Sequence, residues 1–168
     1  MRIIGIDPGT SLIGYAVLDH DGKEAKGVDY GVLKLESFNP DSILDIYRFI
    51  KKLCEEALPD FIAIEQIFVH SNQITALKVG QVIGVIWLVG AELGIPIAHY
   101  TPMEVKQAVA GYGKAPKEQV QNMVAMILGL DSVPKPDDAA DAIAVAICHA
   151  NTVFSQEAMM PVGRGLRF

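Results

Sequence analysis

Four acidic side chains, at three separated places in the chain, have the types and the spacing that metal binding requires. Asp7 ends an apolar run directly before Pro8-Gly9, and Glu65 ends a second apolar run. Asp138 and Asp141 are three residues apart in a segment predicted to be helical, so they share one helix face. Carboxylates beside apolar segments need solvent, a partner or a metal ion, because burying a lone charge is costly.

These carboxylates meet in one place if the two apolar runs are adjacent strands of a sheet and the helix packs against them. Carboxylate oxygens without His or Cys favour hard cations, Mg²⁺ or Mn²⁺. Two such ions about 4 Å apart clamp an in-line displacement at phosphorus. The predicted chemistry is therefore metal-assisted hydrolysis of a phosphodiester, with two ions in each site.

Asp7 and the helical aspartates also have an ordinary structural interpretation. Asp7 before Pro8-Gly9 is suited to capping its own turn. Asp137 and Asp138 suit the first turn of a helix, where the macrodipole favours negative charge. Asp141 falls in the second turn, and no Lys or Arg follows one turn along to relieve its repulsion from Asp138. The structural interpretation therefore explains Asp141 less well than the others.

The segments that must position these residues alternate as in an α/β fold. Strands at 2–7, 12–19 and 28–35, joined by short links, predict an antiparallel meander. A helix over 40–58 followed by a strand over 61–65 predicts a crossover that adds a parallel strand. The remaining predicted elements are a long helix, an edge strand and three further helices, at residues 72–93, 95–100, 102–110, 116–128 and 138–150. The predicted architecture is a five-stranded mixed sheet with helices on both faces.

The helix predicted over 72–93 is apolar on nearly every face. Such a helix must be covered all round, and a sheet covers only one side of it. Gly80 and Gly84 are four residues apart and would let another backbone approach closely. We therefore expect a second copy of the chain to complete the cover in a homodimer. The apolar stretch 79–91 is shorter than the roughly 20 residues of a bilayer span, so no membrane partner is expected.

Size and composition fit one globular domain in a reducing compartment. The 168 residues are 51% hydrophobic and 20% charged. Cys54 and Cys148 lack metal-ligand spacing and are predicted to be buried free thiols, and no secretory signal is recognised, so a cytoplasmic location is expected. We expect one domain over residues 1–155 and a flexible tail over 156–168.

The charge balance bears on the partner. A net charge of −6 and a pI near 5.1 argue against nucleic acid when taken alone. Two bound divalent ions would cancel four of those charges. Whether the protein binds nucleic acid then depends more on where its basic residues lie than on their number. Lys106, Lys114 and Lys117 fall within twelve residues of one another. Singly they are ordinary solvated lysines, whereas together beside an acidic metal site they would hold phosphates without reading sequence.

Phe68 follows Glu65 closely and has two interpretations. It can be an apolar staple onto the following helix. It can also be a stacking wedge at an opened base step, where stacking contributes ~1–3 kcal/mol per base.

With these residues in view, the chain resembles the RuvC family of Holliday-junction resolvases, which have the ribonuclease H-like fold. The resemblance extends to about Ala150. It rests on six motifs that occur in the family's order: Gly5–Thr10, Ala63–Phe68, Ala76–Gln81, Glu104–Val109, Lys117–Gln121 and Asp137–Ala142. Any one motif is weak, but six in order are highly specific.

The resemblance implies a function as well as a fold. The four carboxylates, Asp7, Glu65, Asp138 and Asp141, would be the catalytic metal ligands. The family's activity is symmetric nicking of two strands of like polarity in four-way junction DNA by a homodimer, leaving 5′-phosphate ends, in recombination and repair. Branch-migration helicase machinery would be a partner, and the location would be cytoplasmic at the nucleoid.

The resemblance also implies DNA contacts. Phe68 resembles the residue that opens the junction core, while Lys106 and Lys117 match basic positions near the scissile phosphate. Three places depart from the family by losing positive charge: Ser11, Ile83 and the pair His70/Ser71. These departures leave the carboxylates intact and concern junction affinity and selectivity.

Three other classes of protein compete with this interpretation. The segment Ile6–Thr10 followed by a hairpin also resembles the phosphate loop of actin-like nucleotide-binding phosphotransferases, but that fold needs two such domains. A catalytically silent relative would be expected to lose carboxylates, and all four are present. A ribonuclease H-like nuclease without junction selectivity remains the alternative within the same fold.

Overall fold

Strands and helices alternate along the chain in the order that the sequence predicts, in a computed structural model that describes residues 1–66 and 73–159. The described elements are β1 (Arg2–Asp7), β2 (Leu12–His20), β3 (Ala25–Lys34), α1 (Pro40–Ala57), β4 (Phe61–Glu65), α2 (Gln73–Leu93), β5 (Ile97–Tyr100), α3 (Pro102–Ala110), α4 (Lys117–Ile127) and α5 (Asp137–Met159).

The strands form one mixed sheet in the order β3-β2-β1-β4-β5. β1, β2 and β3 are antiparallel neighbours, whereas β4 pairs parallel to β1 and β5 parallel to β4. The helix α1 carries the chain from β3 to β4, across the width of β1 and β2. The predicted sheet of three antiparallel strands followed by parallel ones is confirmed.

Helices cover both faces of this sheet because alternate strand residues point to opposite sides. Ile3 of β1 belongs to a core with α3, α4 and α5. Ile4 and Ile6 of the same strand belong to a second core with α1 and α2. The central strands are apolar on both faces for this reason, as is usual for strands covered by helices on either side.

Helix α2 is buried along one stripe only. Val82, Ile86 and Val89 are fully buried against the sheet, whereas Leu77 is 72% and Leu88 58% exposed. Among the described residues, α2 is the helix whose length and composition would also suit a membrane span, with one third of that stretch buried. It is longer than the apolar stretch recognised in the sequence because polar residues at its beginning are helical as well.

Helix α5 extends nine residues beyond the predicted end at Ala150, and this prediction was wrong. The extension is held by tertiary contacts that no local pattern reveals. The Phe154 ring lies 4.8 Å from the His20 ring at the end of β2 and also covers Gly22. Asn151 donates a hydrogen bond to the carbonyl of Ala108 in α3 at 3.2 Å. These contacts hold the part of the extension from Asn151 to Phe154 against α3 and β2.

Candidate active site

Asp7 and Glu65 lie at the same edge of the sheet. β1 and β4 are parallel neighbours with Ile6 opposite Ile64, so the next residue of each strand carries its carboxylate to the same end. Each strand ends there because the chain turns away, at Pro8-Gly9 after β1. The adjacency predicted for the two apolar runs is confirmed.

Helix α5 packs close to these residues because two strand positions beneath it are glycines. In the antiparallel register Gly14 of β2 stands opposite Asp7. A Cβ atom at Gly14 would overlap the backbone carbonyl of Asp138, and one at Gly5 would overlap the carbonyl of Ala142. The helix thus lies directly on β1 and β2, with its first turns beside Asp7. The sequence analysis did not assign this role to either glycine, although both interrupt apolar strands, where a glycine often marks close backbone approach.

The electrostatics show that the acidic side chains converge. Burial raises the pKa of Asp7 to about 8, with further contributions from the charges of Glu65, Asp141 and Asp138. Burial likewise raises the pKa of Glu65 to about 7, and Asp141 raises it further. Side chains from three distant parts of the chain therefore influence one another within one partly desolvated site. Shifts of this kind, produced by burial together with like charges, are typical of functional sites.

A lysine from another helix compensates part of this negative charge. Lys117, the first residue of α4, places its Nζ atom 2.8 Å from Oδ2 of Asp141 and 3.7 Å from Oδ2 of Asp137. Partial burial alone would lower the pKa of Lys117, but the hydrogen bond and the charges of these aspartates raise it overall. Burial raises the pKa of Asp141, while Lys117 opposes that rise. Asp141 has no basic residue one turn along its own helix, and Lys117 of α4 supplies the positive charge that offsets its repulsion from Asp138.

A small groove of ≈160 Å³ leads to the carboxylates between α3 and α4. Its lining includes Glu65 and Asp141 together with Lys106 and Lys117. The positive charge of Lys106 acts on Glu65 and opposes part of the rise in its pKa. Lys114 is exposed in the loop between α3 and α4 and does not line this groove. Two of the three predicted lysines therefore share the site, and the third lies outside the groove.

Helix α3 holds Lys106 in place through a well-formed helix start. Thr101 accepts a hydrogen bond from the backbone N–H of Glu104, and the Glu104 carboxylate accepts one from the backbone N–H of Thr101. Pro102 occupies the first helical turn, where its missing N–H costs nothing. The residue types of this segment, an N-cap threonine followed by Pro102 and an acidic first turn, are those typical of a helix start. This capping box fixes the helix that carries Lys106 to the end of β5.

Two polar side chains beside the site were not assigned to it from the sequence. Asp137 accepts a hydrogen bond from Lys135 at 2.7 Å through Oδ1, which leaves Oδ2 facing Lys117. Gln121 of α4 is buried, and its side-chain amide helps to lower the pKa of Asp137. The sequence analysis gave Asp137 only a place in the first helical turn, and both residues lie within the RuvC-like motifs.

The described residues contain no group of three His, Cys, Asp or Glu side chains that is already arranged to hold a metal ion. The donor set nevertheless suits a hard divalent cation, because it consists of carboxylate oxygens that repel one another in a partly desolvated space. Phe68 and His70 lie outside the described residues, as does the tail from residue 160. The placement of Phe68 relative to the carboxylates is therefore left as a prediction.

The fold and the site define a class: an α/β protein of the ribonuclease H-like type, with an acidic site where β1, β4 and α5 meet. The model of the family described as "Crossover junction endodeoxyribonuclease RuvC" matches residues 3–149. The chain belongs to this RuvC family. The resemblance recognised from the six motifs is thus confirmed.

Relatives of the same family are similar in sequence to this chain over most of its length. A crossover junction endodeoxyribonuclease RuvC from Desulfitobacterium hafniense is 46% identical over 155 residues, covering 91% of this chain and 94% of its own length. The protein of the same name from Chloroflexus aggregans is 49% identical over 154 residues, covering 90% and 94% respectively.

Solved structures give the same result in three dimensions. The Thermus thermophilus RuvC structure superposes with a TM-score of 0.87 at 35% identity, covering 93% of this chain and 97% of that one. T. thermophilus RuvC in complex with a Holliday junction substrate gives a TM-score of 0.84 at 33% identity, covering 91% and 95%. The yeast mitochondrial resolvase Ydc2, at 17% identity and a TM-score of 0.64, shares the fold.

Proposed function

We propose that this protein is a structure-selective endonuclease that resolves four-way (Holliday) DNA junctions in recombination and repair. The observation that carries the proposal is the convergence of Asp7, Glu65, Asp138 and Asp141, seen in their mutual electrostatic influence, in a chain of the RuvC family. The relative from T. thermophilus, which was solved with a Holliday junction substrate, supports the choice of DNA. The protein acts in the cytoplasm, at the nucleoid.

The cofactor in this proposal is a pair of Mg²⁺ or Mn²⁺ ions, held by the four carboxylates. Nucleases of this family are metal-dependent, and an all-oxygen donor set selects hard cations over zinc or copper. When bound, such ions supply charge for an in-line displacement at phosphorus. Asp7 and Glu65 are rigidly placed by paired strands, whereas Asp138 and Asp141 are placed by the seat of α5 on Gly5 and Gly14.

The basic residues of the groove hold the phosphate to be cut. Lys106 and Lys117 approach the carboxylates from α3 and α4, so a DNA backbone in the groove would lie between cationic ammonium groups and the acidic site. Lys114 lies farther out and would contact a neighbouring phosphate. Such contacts position the strand without selecting a sequence. Phe68 is assigned to stacking at the opened junction core, on the sequence match alone.

A homodimer completes the proposed enzyme, because resolution needs two symmetric nicks. The exposed apolar side of α2, with Leu77, Trp87 and Leu88, is the proposed contact between the copies. A Cβ atom at Gly80 or Gly84 would meet nothing within 4 Å, so a partner helix can approach the backbone closely there. Branch-migration helicase machinery is the proposed partner in the cell, as the family resemblance implies.

The deciding experiment compares cleavage of a labelled four-way junction with cleavage of matched duplex DNA, in Mg²⁺ or Mn²⁺. We expect paired nicks at symmetric positions in the junction, with 5′-phosphate ends, and little cutting of the duplex. Equal cutting of both substrates would leave a ribonuclease H-like nuclease without junction selectivity.

The control in that experiment is Asp7→Asn. This variant is expected to lose at least ~10³-fold in cleavage because it removes a metal ligand at the centre of the site. It should bind the junction in the absence of metal about as well as the natural protein, since it removes a metal ligand and no DNA contact. Loss of binding with cleavage retained would contradict the assignment.

A further inference from the structure

Lys117 forms an ion pair with Asp141, one of the carboxylates that the proposed function assigns to the metal. Its Nζ atom lies 2.8 Å from Oδ2 of Asp141, within hydrogen-bond distance. The lysine side chain is 55% exposed, and the Asp141 side chain is 26% exposed. The ammonium therefore approaches from the solvent side of the groove, while the carboxylate faces the partly buried interior.

Asp137 provides a second ion-pair partner for the same lysine. Its Oδ2 atom lies 3.7 Å from Lys117 Nζ, farther than Asp141 but still within ion-pair distance. Its other oxygen accepts a hydrogen bond from Lys135 at 2.7 Å, which fixes the orientation of the carboxylate. Asp137 is the first residue of α5, one helical turn before Asp141. A short movement of Lys117 toward Asp137 would therefore leave Asp141 free without sending the lysine into solvent.

We infer that Lys117 and the proposed divalent cation compete for Asp141, and that Asp137 is the positioning residue that retains Lys117 beside the site when the cation binds. The inference rests on the proposed function, because it concerns the same metal site. Its physical basis is repulsion: a monovalent and a divalent cation on one carboxylate would lie only a few ångströms apart in a site of reduced dielectric.

Competition of this kind couples the metal to DNA. A phosphate in the groove offers Lys117 another negatively charged partner and so removes the lysine from Asp141. By thermodynamic linkage, DNA then favours binding of the cation, and the cation favours binding of DNA by the same factor. The protein would thus load its metal preferentially when a phosphodiester is in place, which restrains metal-dependent chemistry without substrate.

The test measures Mn²⁺ binding to the full chain without DNA, by electron paramagnetic resonance of the free ion. Lys117→Met is expected to raise the affinity for Mn²⁺ roughly tenfold, because it removes the competing cation while keeping the length of the side chain. Lys114→Met is the matched control: it removes the same charge from a neighbouring loop and is expected to change the affinity less than twofold. Circular dichroism checks that each variant is folded.

Asp137→Asn tests the second part through a double-mutant cycle. In the natural background, this change leaves Asp141 as the remaining carboxylate partner of Lys117, so Lys117 competes more strongly with the cation. The affinity for Mn²⁺ should therefore fall by about threefold or more. In the Lys117→Met background the same change should have a much smaller effect, because there is no lysine to retain. A merely electrostatic loss at Asp137 would appear equally in both backgrounds and would overturn the positioning role, since independent sites add.

The results separate this inference from the proposed function. Unchanged or weakened Mn²⁺ binding by Lys117→Met, in a protein whose natural form cuts junctions, overturns the competition and leaves the endonuclease standing. Failure of the natural protein to bind Mn²⁺, together with failure to cut junctions, overturns both. Tighter binding in Lys117→Met with no change in Lys114→Met supports the competition.

Discussion

At the scale of single residues, the acidic site is arranged at a cost to the stability of the metal-free fold. Asp7 is largely buried among other carboxylates, and its pKa rises from an ordinary 3.8 to about 8. The folded protein therefore holds a proton on Asp7 that the unfolded chain releases. Between these two pKa values the native state binds more protons, so the free energy of unfolding falls as pH rises.

Asp7→Asn should consequently stabilise the metal-free protein, and more so at high pH. With chelator present, we expect its melting temperature to exceed that of the natural protein by roughly 4–8 °C at pH 8.5, corresponding to about 2 kcal/mol for a chain of this size. At pH 4, close to the ordinary pKa of Asp7, the difference should nearly vanish. Thermal unfolding followed by circular dichroism measures both, and an equal difference at the two pH values would contradict the raised pKa.

Lys106 and Lys114 offer a second comparison of single residues. Lys106 lines the groove and acts on Glu65, whereas Lys114 is exposed outside the groove. Lys106→Met should reduce the rate of junction cleavage at saturating enzyme about 10²-fold, the size expected for one electrostatic contact at the reacting phosphate. Lys114→Met should leave that rate within a few-fold and weaken binding modestly, with a smaller salt dependence. Single-turnover cleavage and binding titrations distinguish the two effects, and equal losses in rate would place both lysines at the same phosphate.

At the scale of elements, the site depends on how closely α5 lies on β1 and β2. Gly14 stands opposite Asp7, and a side chain there would meet the carbonyl of Asp138. Backbone atoms cannot rotate aside as a side-chain tip can. The helix must therefore shift or tilt, which moves the carboxylates of Asp138 and Asp141 relative to Asp7.

Gly14→Ala is accordingly expected to reduce cleavage about 10²-fold or more, because displacement of catalytic groups by about 1 Å has effects of that order. It should also destabilise the fold by about 1–3 kcal/mol, as overpacking usually does. Gly27→Ala is the matched control in β3, where the new methyl group would meet only the tip of the Leu128 side chain, at 3.3 Å. Cleavage rates and denaturant titrations should separate the two variants; similar behaviour would show that α5 can adjust.

At this scale, features that depend on residues close together in sequence were predictable, whereas features that depend on contacts between distant residues were not. The strands and their acidic ends were predictable because apolar runs and turn residues are local in sequence. The extension of α5 to Met159 was not, because Phe154 packs on His20, far away along the chain. The ion pair between Lys117 and Asp141 was equally hidden, since it joins two helices whose relative position depends on the whole fold.

At the scale of the whole molecule, α2 has an exposed apolar side that the rest of the chain does not cover. Leu77 and Leu88 are mostly exposed, and Trp87 is 54% exposed while its indole N–H donates to His99 at 2.9 Å. Large apolar residues that follow one side of a helix in this way usually mark an interface. The proposed symmetric nicking of a junction gives the same requirement from function, because two cuts need two sites.

The double variant Leu77→Glu with Leu88→Glu should therefore be a folded monomer. Sedimentation at micromolar concentration should show the natural protein as a dimer and this variant as a single chain, since each glutamate would have to be buried without a partner. Met126→Glu, which changes a 73% exposed residue at the end of α4, is the control for added charge and should remain dimeric. The monomer should retain its acidic site but make unpaired nicks. A natural protein that sediments as a monomer at these concentrations would contradict the proposed assembly while leaving the acidic site intact.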